Sequence, residues 1–400
     1  MRGYASVYKS LERTRIDEDQ LRKVLTKQAS SLGELAVAGY TIQALDHTPY
    51  PRESAPTVGD RGYVHGADGI VVGHQYSLLG RVMAPRTATL HETGAWIGVE
   101  DCERIPTDKT PVQVGAEQGM AVRGAIARLR DNSPETEKHI VTADSEYVTA
   151  EMLDQAHERT QLLIRLRGNR TLYRRPEPPP SSRRGPGRPR KRGPKFKLDD
   201  SRTWGKPDHL VNIDNEDGGW IEITVFKDLH FKSHPNLHGC IIRVCAYDAT
   251  GNRKFARPLW LYWTGPSDMD WNTFWRVYLK RFCIEAVHQF AKNNLAWTAP
   301  RLGYTDREER WTWLVMLAYW QLLVAIPLAT DAYMPWQKPL PPGRLPTPAR
   351  IQRDYYRIFL IIGTPAYPPI PRGYSPGRPV GQRPMPRQRF NVVYKGHDTS

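Results

Sequence analysis

HIVTADSEYVTAEMLDQAHERTQLLIRL, residues 139–166, is the stretch that decides the fold. It opens with a short β-branched run that ends in an aspartate, HIVTAD (139–144). A helix-forming stretch follows at 148–158, then a second apolar run, QLLIRL, at 161–166. A strand, a crossover helix and another strand imply parallel pairing, since antiparallel neighbours need only a hairpin. Parallel pairs belong to α/β sheets whose faces are covered. The expected fold class is therefore α/β.

Working outward, AVAGYTIQALD (36–46) reads as a strand whose alternation places Ile42, Ala44 and Asp46 on one face. Further strands are expected at 69–82 and 95–99, and a helix at 113–129. Residues 1–35 read as a polar helical segment with Ile16, Leu21, Val24 and Leu25 as its apolar stripe. Strand-like runs resume at 220–226, 240–248 and 256–263, with the turn ATGN (249–252) joining the last two. A long helix is expected over 271–295 and a second over 307–325.

With 400 residues, 40% hydrophobic and 25% charged, the chain has enough apolar side chains for a core, which excludes wholesale disorder. Its four cysteines show no paired pattern, which excludes a disulfide-stapled secreted scaffold. The start, MRGYASVYKSLERTRIDEDQ, lacks the apolar core of a signal peptide. The apolar stretch WTWLVMLAYWQLLVAIPL (311–328) carries Gln321 and Pro327 and reads as a buried helix rather than a membrane span. A cytoplasmic protein without a membrane partner is expected.

The net charge of +15 points to a polyanionic partner, and it is concentrated. Residues 165–197 hold thirteen basic side chains against the single acid Glu177, and 329–400 hold eleven against Asp331, Asp354 and Asp398. The remainder is mildly acidic. That arrangement suits a protein that grips a phosphate backbone with extended segments while keeping carboxylates for chemistry. The insert 168–197, with RRPEPPPSSRRGPGRPRKRGPKF, is expected to form no packed core, and the Pro-punctuated tail to be extended.

Within the expected long helix, Tyr278, Arg281, Glu285 and Lys292 stand at offsets that bring them within roughly 60° of one another, at about 100° per residue. One face then carries a phenol, a guanidinium, a carboxylate and an ammonium. A solvated charged face mixes signs in the same way.

The spacing Tyr-x2-Arg-x3-Glu-x6-Lys, read here in YLKRFCIEAVHQFAK, resembles the signature of a group of bacterial insertion-sequence transposases in the DDE superfamily. Blocks such as DRGYVHG, VVGHQYSLL, IRLRGNRTLYR, ERWTWLVMLAYWQL and GTPAYPPIPRGYSPGRP resemble the same group, so the likeness covers nearly the whole chain. It implies a ribonuclease H-like catalytic core interrupted by a β-rich insertion subdomain, with a Pro-rich basic tail. The corresponding divisions are 1–35 (N-terminal helical segment), 36–167 (core, first part), 168–263 (basic linker and β-rich insertion), 264–328 (core, helical part) and 329–400 (tail). It also implies that a further helical segment, which binds terminal repeats, belongs ahead of RGYASVYKSL, so that this start is late.

The resemblance assigns Asp46, Asp144 and Glu285 as catalytic carboxylates that hold two Mg²⁺ ions, with Mn²⁺ as a substitute. Asp46 would bridge the ions while Asp144 and Glu285 each complete one. Carboxylates are the ligands Mg²⁺ prefers, and an ion pair stabilises both oxygens of an in-line phosphodiester displacement. Asp60, Asp68 and Asp101 stand near Asp46 as alternatives, and Glu146 stands beside Asp144. Arg281 and Lys292 would hold phosphates and Tyr278 would contact the backbone. Gly187-Arg188-Pro189, followed by Arg190 and Lys191, resembles the core of an AT-hook; sequence-independent phosphate binding fits those residues as well.

The implied activity is DNA cleavage and strand transfer at element ends, by a homodimer in a synaptic complex on double-stranded DNA in a bacterial cytoplasm. A decayed or domesticated DNA-binding protein and a nuclease that does not join strands are the alternatives. His230, His234 and His238, near Cys240 and Cys245, match no standard zinc-finger spacing, so no metal is expected there.

Overall fold

The computed structural model describes residues 11–66, 69–84, 96–129, 137–176, 191–215, 217–341, 344–363, 379–383 and 385–394. In chain order the elements are α1 (Glu18–Leu32), β1 (Ala36–Val37), β2 (Tyr40–Pro51), β3 (Gly62–Gly66), β4 (Gly69–Met83), β5 (Trp96–Ile105) and α2 (Pro111–Leu129). Then come β6 (Lys138–Ala143), α3 (Ala150–Leu153), β7 (Thr160–Leu166), β8 (Thr171–Arg174), β9 (Lys195–Lys197) and β10 (His209–Asp214). The last are β11 (Trp220–His230), β12 (Gly239–Tyr247), β13 (Leu259–Trp263), α4 (Trp271–Leu279), α5 (Phe282–Asn294), α6 (Thr305–Val324) and α7 (Pro348–Ile362). Parallel and antiparallel strands with helices against them make this a mixed α/β protein.

The chain divides into two compact units: Met1–Gly33, His47–Ser133 and Cys283–Ser400 form the first, and Glu34–Asp46 and Pro134–Phe282 the second. In the first unit, β4 is antiparallel to both β3 and β5, with a bulge between Leu79 and Gly80. An added Cβ on Gly80 would strike the Ile97 side chain, so the bulge needs glycine. Helix α1 starts on Asp17, whose Oδ1 accepts from Gln20 N at 2.9 Å, and ends at Gly33 with φ 110°. Its buried face is Arg22, Leu25, Thr26 and Ala29, while Val24 is exposed, which corrects the expected apolar stripe. The reason lies in β5, which presents Glu100 and Asp101. Arg22 Nε donates to Asp101 Oδ1 at 2.9 Å and Thr26 Oγ1 to Glu100 Oε1 at 3.3 Å.

The apolar stretch near residue 311 lies mostly in α6, whose Trp320 is buried and donates from Nε1 to the Val99 carbonyl at 2.7 Å. Among the described residues no helix is long and apolar enough to cross a membrane. The tail is not wholly extended, for α7 lies within it and buries Ile351 and Ile358 one heptad apart.

The second unit holds a large mixed sheet. Strand β2, as far as Asp46, runs parallel to β6, and β6 runs parallel to β7. The sheet continues antiparallel through β13, β12 and β11. The parallel pairing is what the opening stretch implies, but its crossover is shorter in helix than expected: a 3₁₀ turn, Ser145–Tyr147, and the four-residue α3.

The basic insert also departs from expectation. Its described flanks form β8 and β9, in which Leu172 and Phe196 are fully buried. Phe196 packs on Phe226 with ring centres 4.9 Å apart, and Trp204 meets Trp260 edge-on at 5.2 Å. Residues 177–190 lie outside the described residues, and with them the expectations for Arg188 and Arg190. Lys191 is described and exposed.

Candidate active site

Two aspartates meet at one end of the parallel strands in the second unit. The β2–β6 register pairs Ile42 with Ile140 and Ala44 with Thr142. Two residues further along each strand are Asp46 and Asp144, which keep the same side of the pleat as their predecessors. Asp46 does not end its strand, as the sequence reading had it, because β2 continues to Pro51. Asp144 directly follows β6 in extended conformation (φ −79°, ψ 176°) and starts the 3₁₀ turn with its backbone carbonyl. Its side chain makes no capping bond. In open α/β sheets, ligands bind beyond the carboxyl ends of strands; Asp144 stands there, and Asp46 lies where the parallel pairing of β2 with β6 has just ended.

The helix behind them is broken. The expected continuous helix over 271–295 is instead α4 and α5, separated at Lys280 and Arg281. There the amides of Lys280 and Arg281 bond three residues back, to Val277 and Tyr278, tightening the last turn. The break turns Arg281 inward. Its Nη1 lies 3.3 Å from Asp46 Oδ2, with 4% of its side chain exposed and 16% of the aspartate's. Its guanidinium also covers the Phe282 ring at 4.7 Å.

Tyr278 is buried beside it. Burial raises the phenol pKa; Arg281 opposes this and Asp144 adds to it. The second unit thus gathers Asp46, Asp144, Tyr278 and Arg281.

The other two motif residues belong to the first unit. Glu285 is exposed in the first turn of α5, where a carboxylate complements the helix dipole. Lys292, two turns on, is half-buried, and its Nζ donates to Thr48 Oγ1 at 2.6 Å. Burial draws its ammonium pKa down from 10.5 to about 8.

Two neighbours escaped the sequence reading. The β6–β7 register pairs Ala143 with Ile164, which sets Arg165 alongside Asp144. Arg167 Nε reaches Ser145 Oγ at 3.4 Å. Both fall within the basic stretch 165–197; the signal for Arg165 is an arginine inside the apolar run of β7, and Arg167 directly follows that strand. Asp101, an alternative to Asp46, is fully buried against Arg22, and Asp60 is paired with Arg104.

Asp46 and Asp144 suit a hard divalent cation. Their donors are carboxylate oxygens, and Asp144 Oδ1 is buried with no hydrogen-bond partner among the described residues. Among those residues no group of three or more His, Cys, Asp or Glu side chains is drawn together as a metal cage.

No curated protein matches this chain. A family model described as DDE superfamily endonuclease matches residues 1–220, a segment that contains Asp46 and Asp144 and stops short of Glu285. Because that match spans more than half of the 400 residues, the chain belongs to the DDE superfamily endonucleases.

Proposed function

We propose that this protein is a DNA transposase that cuts phosphodiester bonds at the ends of a bacterial insertion sequence and joins them to a target. Asp46 and Asp144, each two residues past the last paired positions Ala44 and Thr142 of two adjacent parallel strands, are the observation that carries this reading. Together with Glu285 they would hold two Mg²⁺ ions, or Mn²⁺ in their place. Such ions supply Lewis-acid stabilisation to the attacking and leaving oxygens. A ribonuclease H-like core, with residues of the 168–263 segment as an insertion, is the fold this chemistry would use.

The chain's own side chains have separate tasks. Arg281 fixes the Asp46 carboxylate, and its guanidinium would add positive charge beside a phosphate held there. Tyr278, its phenol pKa raised, stays protonated and acts as a hydrogen-bond donor to the DNA backbone. Lys292, its pKa drawn down to about 8 by burial, is still mostly charged at neutral pH and would be held so by an approaching phosphate. Burial pushes up the thiols of Cys102, Cys240 and Cys245, which makes them poor nucleophiles. Arg188, Arg190 and Lys191 would add backbone grip, and two copies would synapse the element ends.

The test is Mg²⁺-dependent cleavage of a duplex that carries the flanking genomic ends, with wild type compared with Asp144→Asn and Glu285→Gln. Boundary nicking by wild type alone supports the assignment. Equal cleavage by either variant removes that carboxylate from it. Because the family description is that of an endonuclease, a nuclease that does not join strands is the second reading. Precut ends decide this: a transposase joins them to target, and a nuclease does not. Salt-sensitive binding without scission would identify a non-catalytic DNA-binding protein.

A further inference from the structure

Two histidines in the β-rich part of the second unit hold their rings in an arrangement that the proposed chemistry does not use. His230 ends β11 and is fully buried. Its Nδ1 lies 3.0 Å from the Phe231 carbonyl oxygen, so that nitrogen carries the proton and donates. Its Nε2 is buried and has no hydrogen-bond partner among the described residues.

His238 repeats the pattern across the loop that leads into β12. The Asp228 backbone acts on its ring, opposing the fall in its pKa, and its Nδ1 is buried without a partner among the described residues. Asp228 itself has a left-handed backbone, φ 57°, at the bulge between Phe226 and Leu229. A non-glycine residue in that conformation is strained, and such strain concentrates where a group must be aimed. The Asp228 side chain is turned to Arg175 at 3.1 Å, which balances the arginine's charge beside the pair.

Each ring therefore offers one buried nitrogen without a partner, and in His230 the other nitrogen is fixed on a backbone carbonyl. Desolvation, Arg175 and His230 all lower the pKa of His238, which favours its neutral form. The ring centres are 5.2 Å apart with planes at 72°. Two imidazoles that share one tetrahedral ion, at about 2.0–2.1 Å per Zn–N bond, have ring centres roughly 5 Å apart. An N–H anchored on a carbonyl with the other nitrogen offered outward is how ligating histidines are oriented.

We propose that His230 Nε2 and His238 Nδ1 form a binding site for a divalent transition-metal ion of the zinc type, separate from the carboxylates and structural in effect. Neutral imidazole nitrogens select such ions over Mg²⁺. Water would complete the coordination, since the third nearby histidine is engaged elsewhere: His234 Nε2 pairs with Asp154 Oδ1 at 2.9 Å. The bound ion would clip the 231–238 loop to the end of β11.

The experiment is titration of the full-length protein with Zn²⁺, and with Co²⁺ as a spectroscopic probe, in excess Mg²⁺ so that the carboxylates are already engaged. Wild type should bind one ion per chain, with a higher unfolding midpoint and tetrahedral Co²⁺ absorption. His230→Gln and His238→Gln should each weaken binding by about tenfold or more, while His234→Gln should not. Ring ¹⁵N shifts of the wild type provide a measurement independent of variant folding. They should show His230 Nε2 and His238 Nδ1 unprotonated and moving on Zn²⁺ addition. Ring nitrogens unmoved by Zn²⁺, or undiminished binding in both variants, would overturn the proposal and leave an ordered water between the rings as the explanation. None of these readouts depends on DNA cleavage, so the site and the transposase reading stand or fall separately.

Discussion

Arg281 and Asp46 form an ion pair, Nη1 to Oδ2 at 3.3 Å, in which both partners are largely withdrawn from water. The pair exists because the helix stops at Leu279 and restarts at Phe282, which frees Arg281 from the helical face that its spacing implied. On the proposed reading Asp46 would hold a metal, and a guanidinium on such a carboxylate does two opposing things. It orients the carboxylate, and it competes with the cation for the same negative charge.

Arg281→Ala should therefore slow strand cleavage by about 10²–10³-fold, the usual cost of losing a donor aimed at developing charge. The same variant should reach half-maximal activity at a lower Mg²⁺ concentration, because the competing cation has gone. Cleavage measured against Mg²⁺ concentration separates the two effects. Wild-type rates in the variant would show that Arg281 serves only to fix the fold.

Lys292 should give the protein a pH-dependent stability that Lys292→Met lacks. Its folded pKa is about 8 against an ordinary 10.5, so burial disfavours the ammonium in the native state. Below pH 8 both states are protonated and the cost is fully present. Between pH 8 and 10.5 the unfolded chain binds the extra proton, so stability rises with pH across that window. Urea unfolding of both proteins from pH 7 to 10 reads the difference, and parallel curves would refute it. Affinity for DNA should move the opposite way, weakening above pH 8 as the ammonium is lost.

The legible parts of this molecule are those that local pattern controls. Two apolar runs that close on Asp46 and Asp144 announce strands, and their separation by a crossover announces parallel pairing. The break at Lys280 and Arg281 was illegible, since neither Gly nor Pro marks it and only the distant Asp46 explains it. Helix α7 was hidden by the prolines around it, although Ile351 and Ile358 stand at helical spacing. The buried face of α1 was misread because Arg22 looks like a surface residue until β5 supplies Asp101. At the candidate site, family likeness identified the motif residues, whereas Thr48 and Arg165 become visible only through tertiary contact and strand register.

Arg22 should prove expensive to remove. It pairs with a carboxylate that is fully buried, and burial raises the Asp101 pKa well above the usual range even with Arg22 beside it. Arg22→Met should destabilise the protein by about 3–5 kcal/mol, because it strands a buried charge. Arg22→Met combined with Asp101→Leu should recover part of that loss, since the fully buried carboxylate goes with its partner and only the less buried Glu103 loses its bond to Arg22. Denaturant midpoints for the single and double variants test this, and additive losses would show that the pair is not the coupled unit.

Arg165 should contribute to DNA affinity without reading sequence. The β7 register sets it beside Asp144, it is exposed, and its charge reaches Tyr278. A guanidinium placed there neutralises a backbone phosphate near the bond to be cut. Arg165→Ala should weaken binding to element ends and to unrelated duplex by the same factor, and should reduce the slope of log affinity against log salt by about 0.9. Arg202 is the internal control, because its Nε is already tied to Asp200 Oδ1 at 2.9 Å. Arg202→Ala should leave the slope as it was. An unchanged slope in Arg165→Ala would mean that the DNA does not run along the exposed end of β7, and the path would then have to follow the basic flanks at Arg175 and Lys191 instead.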